Sequence, residues 1–291
     1  MTPPADAAAP PELQAKQQRL LDLLREMESV VVAFSGGVDS AVVAKAAQLA
    51  LGPAATAVTA DSPSVPRAEL EQARQVAKAI GIRHLVIPTG ELANPAYVAN
   101  DGSRCYHCKA ELYDRLGTLL GQFGAKWICS GANADDFQDY RPGLRAAAER
   151  GVRHPLQELG LTKAEVRLLA RSWGLPVWNK PASPCLASRI APGLEVTPER
   201  LQRIEAAEAF LRARGFPDCR VRLHQDDLAR VEVPLKSLPL LCDPALRQAL
   251  VEELHRLGFR YVTLDLEGLR SGSLNLLVGL PMRRRFQSEV G

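Results

Sequence analysis

Over the first two thirds of the chain, short runs of β-branched residues alternate with segments whose apolar residues recur every three or four positions. Runs of the first kind predict buried strands, and segments of the second kind predict amphipathic helices. The predicted strands are 30–34, 55–60, 84–87 and 126–130. The predicted helices are 12–27, 40–51, 66–81 and 162–174. This alternation is typical of an α/β fold with a doubly wound parallel sheet, in which ligands bind beyond the carboxyl ends of the strands.

The pattern changes near residue 193. After this point, the predicted helices are 197–215 and 243–258. The predicted strands are 219–224, 228–233 and 259–266. A helix, a hairpin, a second helix and a strand suit a small α+β domain. We therefore predict a disordered N-terminus at 1–11, a doubly wound domain at 12–193 and a small C-terminal α+β domain at 194–291.

The first predicted strand ends in the string S-G-G-V-D-S, directly before a helix. A turn between a parallel strand and its helix directs backbone N–H groups and the positive end of the helix dipole at one point. Gly36 and Gly37 permit a positive φ and the close approach of an anion. Ser35 and Ser40 add hydroxyl donors, and Asp39 is suited to hold a Mg²⁺ that bridges phosphates. The string therefore indicates a phosphate-binding loop.

This loop differs from two common nucleotide-binding motifs. It is neither G-x-x-x-x-G-K-S/T nor G-x-G-x-x-G, which argues against Walker-type kinases and against hydride-transfer cofactors. It resembles the pyrophosphate-binding loop of the ATP pyrophosphatase superfamily, whose members split ATP between the α and β phosphates and activate a substrate oxygen as its AMP adduct. Ala60, Asp61 and the segment Gly131–Asp136 follow other predicted strands, so we expect them at the same sheet edge.

The composition is that of an ordinary soluble globular protein. The 291 residues are 46% hydrophobic and 24% charged, and the net charge of +3 is too small to indicate nucleic-acid binding. Residues 1–10 lack the features of a signal peptide, and no run is long enough to span a membrane. We expect a cytoplasmic protein with no nucleic-acid or membrane partner, and a basic tail at 282–286 that is a solvated end.

The cysteines limit the kinds of cofactor that the protein could hold. Cys105 and Cys108 form a C-x-x-C beside Lys109, and Cys185 lies in a proline-rich segment. A C-x-x-C alone is compatible with zinc, redox or iron–sulfur roles, but a four-ligand zinc site would need a second close pair. Three thiolates from two separate loops suit a 4Fe-4S cluster with one open iron, and the alternative is reduced, unliganded thiols. The cysteines expected to be small buried apolar residues are Cys129, Cys219 and Cys242.

Two arginines indicate an anion site in the C-terminal domain. Arg220 and Arg222 lie two positions apart on a predicted strand, so their side chains point to the same face. Two guanidinium groups on one face suit a phosphate, which arginine binds through parallel hydrogen bonds. The alternative is a solvent-facing pair on an edge strand.

Six motifs in combination resemble one family. They are S-G-G-V-D-S, C-Y-H-C-K, G-A-N-A-D-D-F-Q-D-Y-R-P-G, C-L-A-S-R, R-V-R-L-H and L-E-G-L-R-S-G-S-L-N. Together they resemble the LarE family, PP-loop sulfur transferases that help to assemble the nickel-pincer nucleotide cofactor of lactate racemase-type enzymes. The resemblance covers nearly the whole chain. It implies that ATP adenylates a carboxylate of pyridinium-3,5-biscarboxylic acid mononucleotide and that sulfur then displaces AMP, until both carboxylates are thiocarboxylates.

The resemblance also implies roles for individual residues. Cys185 is implied as the sulfur-bearing cysteine, with Lys109 and Asp39 as further catalytic residues. The residues expected to bind ATP are Ser35, Gly36, Gly37, Val38, Asp39, Ser40, Ala60, Gly131, Asn133 and Asp135. Those implied near the substrate are Lys109, Ser188, Arg189, Glu208, Arg220, Arg222 and Asp136. The cofactors expected besides ATP are Mg²⁺ at Asp39 and a 4Fe-4S cluster on Cys105, Cys108 and Cys185.

One departure concerns the source of sulfur. Single-cysteine members of the family give up the sulfur of the residue that matches Cys185 and are left with dehydroalanine. This chain adds Cys105 and Cys108, as in members that carry a cluster whose open iron holds a hydrosulfide. We favour the cluster route, because a C-x-x-C has no evident use in the sacrificial route.

Three other classes of protein are compatible with parts of the sequence. A tRNA-thiolating enzyme would share the loop and the three cysteines, but it should carry a basic, aromatic-rich RNA-binding face. An amide-forming synthetase would need ammonia, usually from a glutaminase domain of which the sequence gives no sign. A nucleotide-binding sensor would leave the three cysteines without a role. Beyond ATP and the small nucleotide substrate, we expect a homo-oligomer and transient contacts with other cofactor-assembly proteins.

Overall fold

The computed structural model describes residues 10–138 and 142–270, together with 274 and 277. The described chain forms two compact units, of which the first contains 10–91 and 105–183 and the second 92–104 and 184–270. The division after 183 lies close to the predicted boundary at 193, whereas the sequence pattern gave no sign that 92–104 joins the second unit. Most of the predicted disordered N-terminus and the whole basic tail lie outside the described residues.

Helices and strands are numbered in chain order. The helices are α1 (Pro11–Met27), α2 (Val38–Leu51), α3 (Arg67–Ile80), α4 (Pro95–Val98), α5 (Arg104–Phe123), α6 (Pro142–Ala148), α7 (Pro155–Glu158), α8 (Lys163–Ser172), α9 (Pro198–Arg212), α10 (Leu238–Leu241) and α11 (Pro244–Arg256). The strands are β1 (Val30–Ala33), β2 (Ala55–Asp61), β3 (Arg83–Pro88), β4 (Trp127–Cys129), β5 (Arg220–His224), β6 (Leu228–Glu232) and β7 (Tyr261–Leu264). No helix in the described chain is both long and apolar enough to cross a membrane.

The sheet of the first unit is parallel throughout, with the strand order β3-β2-β1-β4. Its strand β1 is buried on both faces: Val30 and Val32 belong to one apolar cluster, and Val31 belongs to another with Tyr113 and Leu116 of α5. Burial on both faces explains why this strand is a continuous apolar run in the sequence. The predicted α/β fold with a doubly wound parallel sheet is confirmed.

The C-x-x-C lies on a helix, so the prediction that it lies in a loop was wrong. Helix α5 begins at Arg104 and includes both cysteines. Its buried residues, Tyr113 and Leu116, come only in the third and fourth turns. The first two turns therefore lack the apolar periodicity by which a helix is recognised in a sequence.

The second unit contains a three-stranded sheet of order β5-β6-β7, in which β5 and β6 are antiparallel and β6 and β7 are parallel. Val221 and Val231 are paired and buried on one face. Arg220 is paired with Glu232 on the other face, which also carries Arg222. The two arginines are 8% and 3% exposed, so the alternative of a solvent-facing pair is wrong.

Candidate active site

The loop after β1 is shaped by its own side chains. Ser40 Oγ accepts a hydrogen bond from Ser35 N at 3.2 Å and donates to Gly37 O at 3.1 Å. Gly37 N donates to Ser35 Oγ at 3.3 Å. Gly36 has a φ of 71°, and a Cβ there would lie 2.7 Å from Ala73 Cα. This turn therefore requires glycine at position 36.

A second glycine lets the loop after β4 approach the start of α2. A Cβ on Gly131 would lie 2.6 Å from Ser40 N and 2.9 Å from Asp39 C. Helix α2 begins at Val38, two residues earlier than predicted. Because the first N–H groups of a helix have no partner within it, this end of α2 offers donors to a phosphate.

Asp39 projects from the first turn of α2 and joins the two loops. Its Oδ1 accepts a hydrogen bond from Asn133 Nδ2 at 3.2 Å, and its Oδ2 pairs with the ammonium of Lys163. Asn133 is buried, its Oδ1 accepts from Asp135 N at 3.0 Å, and its N donates to Asp136 Oδ2 at 3.1 Å. The structure thus brings together Asp39, Asn133 and Asp135, which the sequence placed at an ATP site.

Lys163 is a residue of this site that the sequence analysis missed. It is the first residue of α8, after the N-cap Thr162, which forms a capping box with Glu165. Its backbone N donates to Asp135 Oδ2 at 2.8 Å. The helix dipole disfavours a lysine at a helix N-terminus, and this placement is the signal that could have indicated a role. Its ammonium gives the site a positive charge suited to a phosphate.

Ala60 and Asp61 end β2 at the same edge of the sheet. Ala60 is in register with Ile87 of β3, and Asp61 pairs with Arg67 Nη1 at 2.6 Å. The three strand ends expected at a ligand edge therefore meet there, since β1, β2 and β4 are parallel neighbours.

Lys109 lies on α5, one residue beyond the C-x-x-C. A Cβ on Gly143 would lie 2.9 Å from its Cγ. Ser130, which follows β4, shares a hydrogen bond of 2.7 Å with His154 Nδ1. Burial is the main cause of a lowered pKa at His154. The charge of Glu158 acts in the opposite direction and raises this pKa, and the charge of Lys109 lowers it. Ser130 and His154 therefore form a polar pair after β4, within electrostatic reach of Lys109.

The thiols divide by their exposure. The six cysteines form no disulfide with one another: Cys105 and Cys242 are exposed, Cys108 and Cys185 are half-buried, and Cys129 and Cys219 are buried. Burial raises the pKa of Cys129 and Cys219 to about 12. The prediction of small buried residues is confirmed for these two and wrong for Cys242, because the one-turn helix α10 directs Leu241 into the core and leaves Leu240 and Cys242 exposed.

Within the part of the chain that the structure describes, no three His, Cys, Asp or Glu side chains form a group that could hold a metal ion. The donor chemistry nevertheless fits both expected cofactors. Asp39 supplies the kind of carboxylate that binds Mg²⁺ together with substrate phosphates. Cys105 and Cys108, three positions apart on α5, lie on one side of that helix and are at least partly accessible. Cys185 of the second unit is also partly accessible.

In the second unit, Cys185 precedes a single 3₁₀ turn that ends at Arg189. The guanidinium of Arg189 is buried, with Nε donating to Glu208 Oε1 at 2.9 Å and Nη1 donating to Cys185 O at 3.0 Å. Glu208 is fully buried and also accepts from Arg212 Nη2 at 2.6 Å and Val221 N at 3.2 Å. Both groups that the resemblance placed near the substrate are thus engaged with protein atoms.

The two strand arginines have different surroundings. Arg222 Nη2 donates to the buried carboxylate of Glu232 at 2.9 Å. Arg220 Nη1 donates to the Arg270 carbonyl at 2.8 Å, and burial followed by the neighbouring guanidinium groups lowers the pKa of Arg220. Because an anion would relieve this crowding of positive charge, Arg220 is the better placed of the two to bind one.

Comparison with known proteins gives matches across both units. The NAD synthase family matches residues 16–101. A pyridinium-3,5-bisthiocarboxylic acid mononucleotide synthase of Lactiplantibacillus plantarum is 38% identical over 90% of this chain and 95% of its own length. An uncharacterised protein of Synechocystis sp. is 47% identical over 90% of this chain and 98% of its own. An uncharacterised protein of Methanocaldococcus jannaschii is 25% identical over 84% of this chain and 92% of its own length.

Proposed function

This chain belongs to the LarE family of PP-loop ATP pyrophosphatases, and we propose on that premise that it is an ATP-dependent sulfur transferase. Its substrate is pyridinium-3,5-biscarboxylic acid mononucleotide, and its product is the bisthiocarboxylic acid mononucleotide used for the nickel-pincer cofactor. The observation that carries the proposal is the similarity to the L. plantarum synthase over 90% of the chain. The phosphate-binding loop and its carboxylate support the same reaction class.

The first step is adenylation. A carboxylate oxygen of the substrate attacks the α phosphorus of ATP, and pyrophosphate leaves. Donors of the loop Ser35–Ser40 and of the α2 N-terminus bind the departing pyrophosphate, and Lys163 adds its ammonium. Mg²⁺ held by Asp39 would supply neutralisation of the phosphate charge. Lys109 is proposed to stabilise the carboxylate that is being activated.

The second step exchanges oxygen for sulfur. Adenylation turns a poor leaving oxygen into AMP, so that a sulfur nucleophile can attack the acyl carbon and expel AMP. Cys185 is the sulfur-bearing cysteine in this proposal. Two such transfers convert both carboxylates, and on the route that gives up the Cys185 sulfur they require two protein chains.

The three accessible thiols are also proposed as ligands of a 4Fe-4S cluster. Thiolates of Cys105, Cys108 and Cys185 would leave one iron without a protein ligand, and the cluster would supply an exchangeable sulfide. We expect protein purified without oxygen to contain about four irons and four sulfides per chain. Cys105→Ala should lower both contents sharply, whereas Cys242→Ala, which removes another exposed thiol, should not. Reconstituted protein without iron would refute the cluster.

Pyrophosphate release separates the proposed function from its rivals. We expect release from ATP that depends on the pyridinium dicarboxylate nucleotide and is unaffected by tRNA or ammonia. Release that requires tRNA would indicate a tRNA-thiolating enzyme. Binding of ATP without cleavage in the presence of the nucleotide would instead indicate a sensor.

A comparison of Arg220→Ala with Arg222→Ala tests the anion site. Loss of a hydrogen-bonded charge partner should raise KM for the nucleotide about 10- to 100-fold in Arg220→Ala, with KM for ATP little changed. Arg222→Ala should instead lower the melting temperature, because it removes a partner of the buried Glu232 carboxylate. Arg220→Lys, which keeps the charge, should recover part of the affinity. Equal effects of both alanine variants on KM and melting temperature would argue against the assignment.

A further inference from the structure

The carbonyl oxygen of Cys185 accepts hydrogen bonds from three donors. Ser188 N lies 3.0 Å away, Ser188 Oγ 2.6 Å and Arg189 Nη1 3.0 Å. A carbonyl oxygen has two lone pairs. The Ser188 N–H bond belongs to the 3₁₀ turn that follows Cys185, and Arg189 Nη1 is shared with the Pro184 carbonyl. The Ser188 hydroxyl and the cationic guanidinium are therefore donors beyond the one that the turn itself supplies. Converging donors of this kind stabilise an oxygen that becomes negatively charged during a reaction.

These donors are held by buried partners. Glu208, which is fully buried, receives the other edge of the Arg189 guanidinium. The carbonyl of Ser188 accepts from Arg222 Nη1 at 3.0 Å, and Arg222 is in turn bound to the buried Glu232. Donors fixed in this way need little reorganisation when charge develops on the oxygen they contact.

We propose that Ser188 and Arg189 are catalytic residues that stabilise the enolate of Cys185 when its sulfur is removed. The proposal rests on the proposed function in taking Cys185 as a sulfur donor. It gives these two residues a role on the reacting cysteine itself, instead of the contact with substrate that the resemblance implies.

The step balances without an oxidant or a reductant. The Cys185 thiolate first attacks the acyl adenylate, so that its sulfur forms a thioester and AMP leaves. A Brønsted base such as hydroxide then takes the Cα proton, and the negative charge moves onto the Cys185 carbonyl oxygen. The Cβ–S bond breaks, its electron pair leaves with the thiocarboxylate, and a Cα=Cβ double bond remains. This route belongs to the iron-free protein, in which the thiol of Cys185 is unligated, and it transfers one sulfur per chain.

The test produces elimination at Cys185 without ATP or substrate. A water-soluble 1,4-dibromide converts accessible thiols of the iron-free protein into cyclic sulfonium groups, and mild base then eliminates them to dehydroalanine. Peptide mass spectrometry follows the reaction at Cys185 and at Cys242, an exposed cysteine of the same unit. Each elimination rate is divided by the amount of sulfonium group formed at that cysteine, so that unequal alkylation of the two thiols does not affect the comparison.

We expect elimination at Cys185 to be about tenfold or more faster than at Cys242. Ser188→Ala should remove most of this difference, whereas Ser188→Thr, which keeps the hydroxyl, should retain it. Arg189→Lys should also slow elimination, but Arg212→Lys should not, since Arg212 binds Glu208 and is not among the donors to the carbonyl. Equal rates at Cys185 and Cys242, or an unchanged rate in Ser188→Ala, would overturn the proposal.

This outcome is separate from that of the proposed function, because the elimination assay uses neither ATP nor the nucleotide. Fast, Ser188-dependent elimination in a protein that never cleaves ATP would support the enolate site and refute the transferase. Nucleotide-dependent pyrophosphate release with slow elimination would refute the enolate site alone.

Discussion

We expect the Asp39→Asn variant to release pyrophosphate at least about a hundredfold more slowly than the unaltered protein. The substitution nearly preserves the shape of the side chain and removes its charge, which is the property that holds Mg²⁺ against the phosphates. Folding should survive, because the Asp39 and Lys163 side chains are 24% and 37% exposed and such ion pairs add little stability. Pyrophosphate release and the melting temperature, measured on the same preparation, check both parts.

Asp22→Asn is the matched control for this variant. It makes the same chemical change in an exposed ion pair with Arg25 on α1, and we expect it to change neither the rate nor the melting temperature. A folded Asp39→Asn protein that releases pyrophosphate at the control rate would contradict the assignment of the loop.

The second large effect is expected from Cys185→Ala. The variant lacks the sulfur atom that the sacrificial route transfers and the third thiolate that would hold the cluster on the other route, so formation of thiocarboxylate should fall to the background of the assay. Adenylation breaks and forms bonds only at phosphorus and oxygen, so each active site should still release one pyrophosphate and retain the acyl adenylate. Mass spectrometry of the nucleotide, beside a pyrophosphate assay, measures the two steps independently.

Cys242→Ala is the control for loss of an accessible thiol, and it should transfer sulfur at the normal rate. Undiminished thiocarboxylate formation by Cys185→Ala would show that this residue is not the sulfur-bearing cysteine. Loss of pyrophosphate release as well would show that it is needed before sulfur transfer.

The sequence predicts the parallel sheet and the glycine turn between β1 and α2 well, because both are indicated by local patterns. A buried strand followed by two glycines and a helix is recognisable without knowledge of the partners. Helix α5 was missed altogether, and its first turns, which carry Cys105 and Cys108, have no apolar face. Cys242 was misjudged because apolar neighbours such as Leu240 suggest a core position, although the one-turn helix α10 exposes that side chain.

The polar contacts of the candidate site could not be predicted, because they depend on side chains far apart in the sequence. Lys163 and Asp39 are 124 positions apart, and Arg189 and Glu208 are 19 apart. Alternation along β5 places Arg220 and Arg222 on one face. Only the folded structure shows that Arg222 is bound to Glu232, whereas Arg220 lies beside other guanidinium groups. Periodicity specifies the face of an element and not the partner that a side chain finds there.

The function proposed for this chain is the replacement of carboxylate oxygen by sulfur at the expense of ATP. The most direct measurement is the mass of pyridinium-3,5-biscarboxylic acid mononucleotide after incubation with the protein, ATP, Mg²⁺ and, for repeated turnover, sulfide. We predict exchange of one oxygen for sulfur in each carboxylate, with one AMP and one pyrophosphate formed for every sulfur gained. A nucleotide of unchanged mass, recovered from folded protein that binds ATP, would contradict the account.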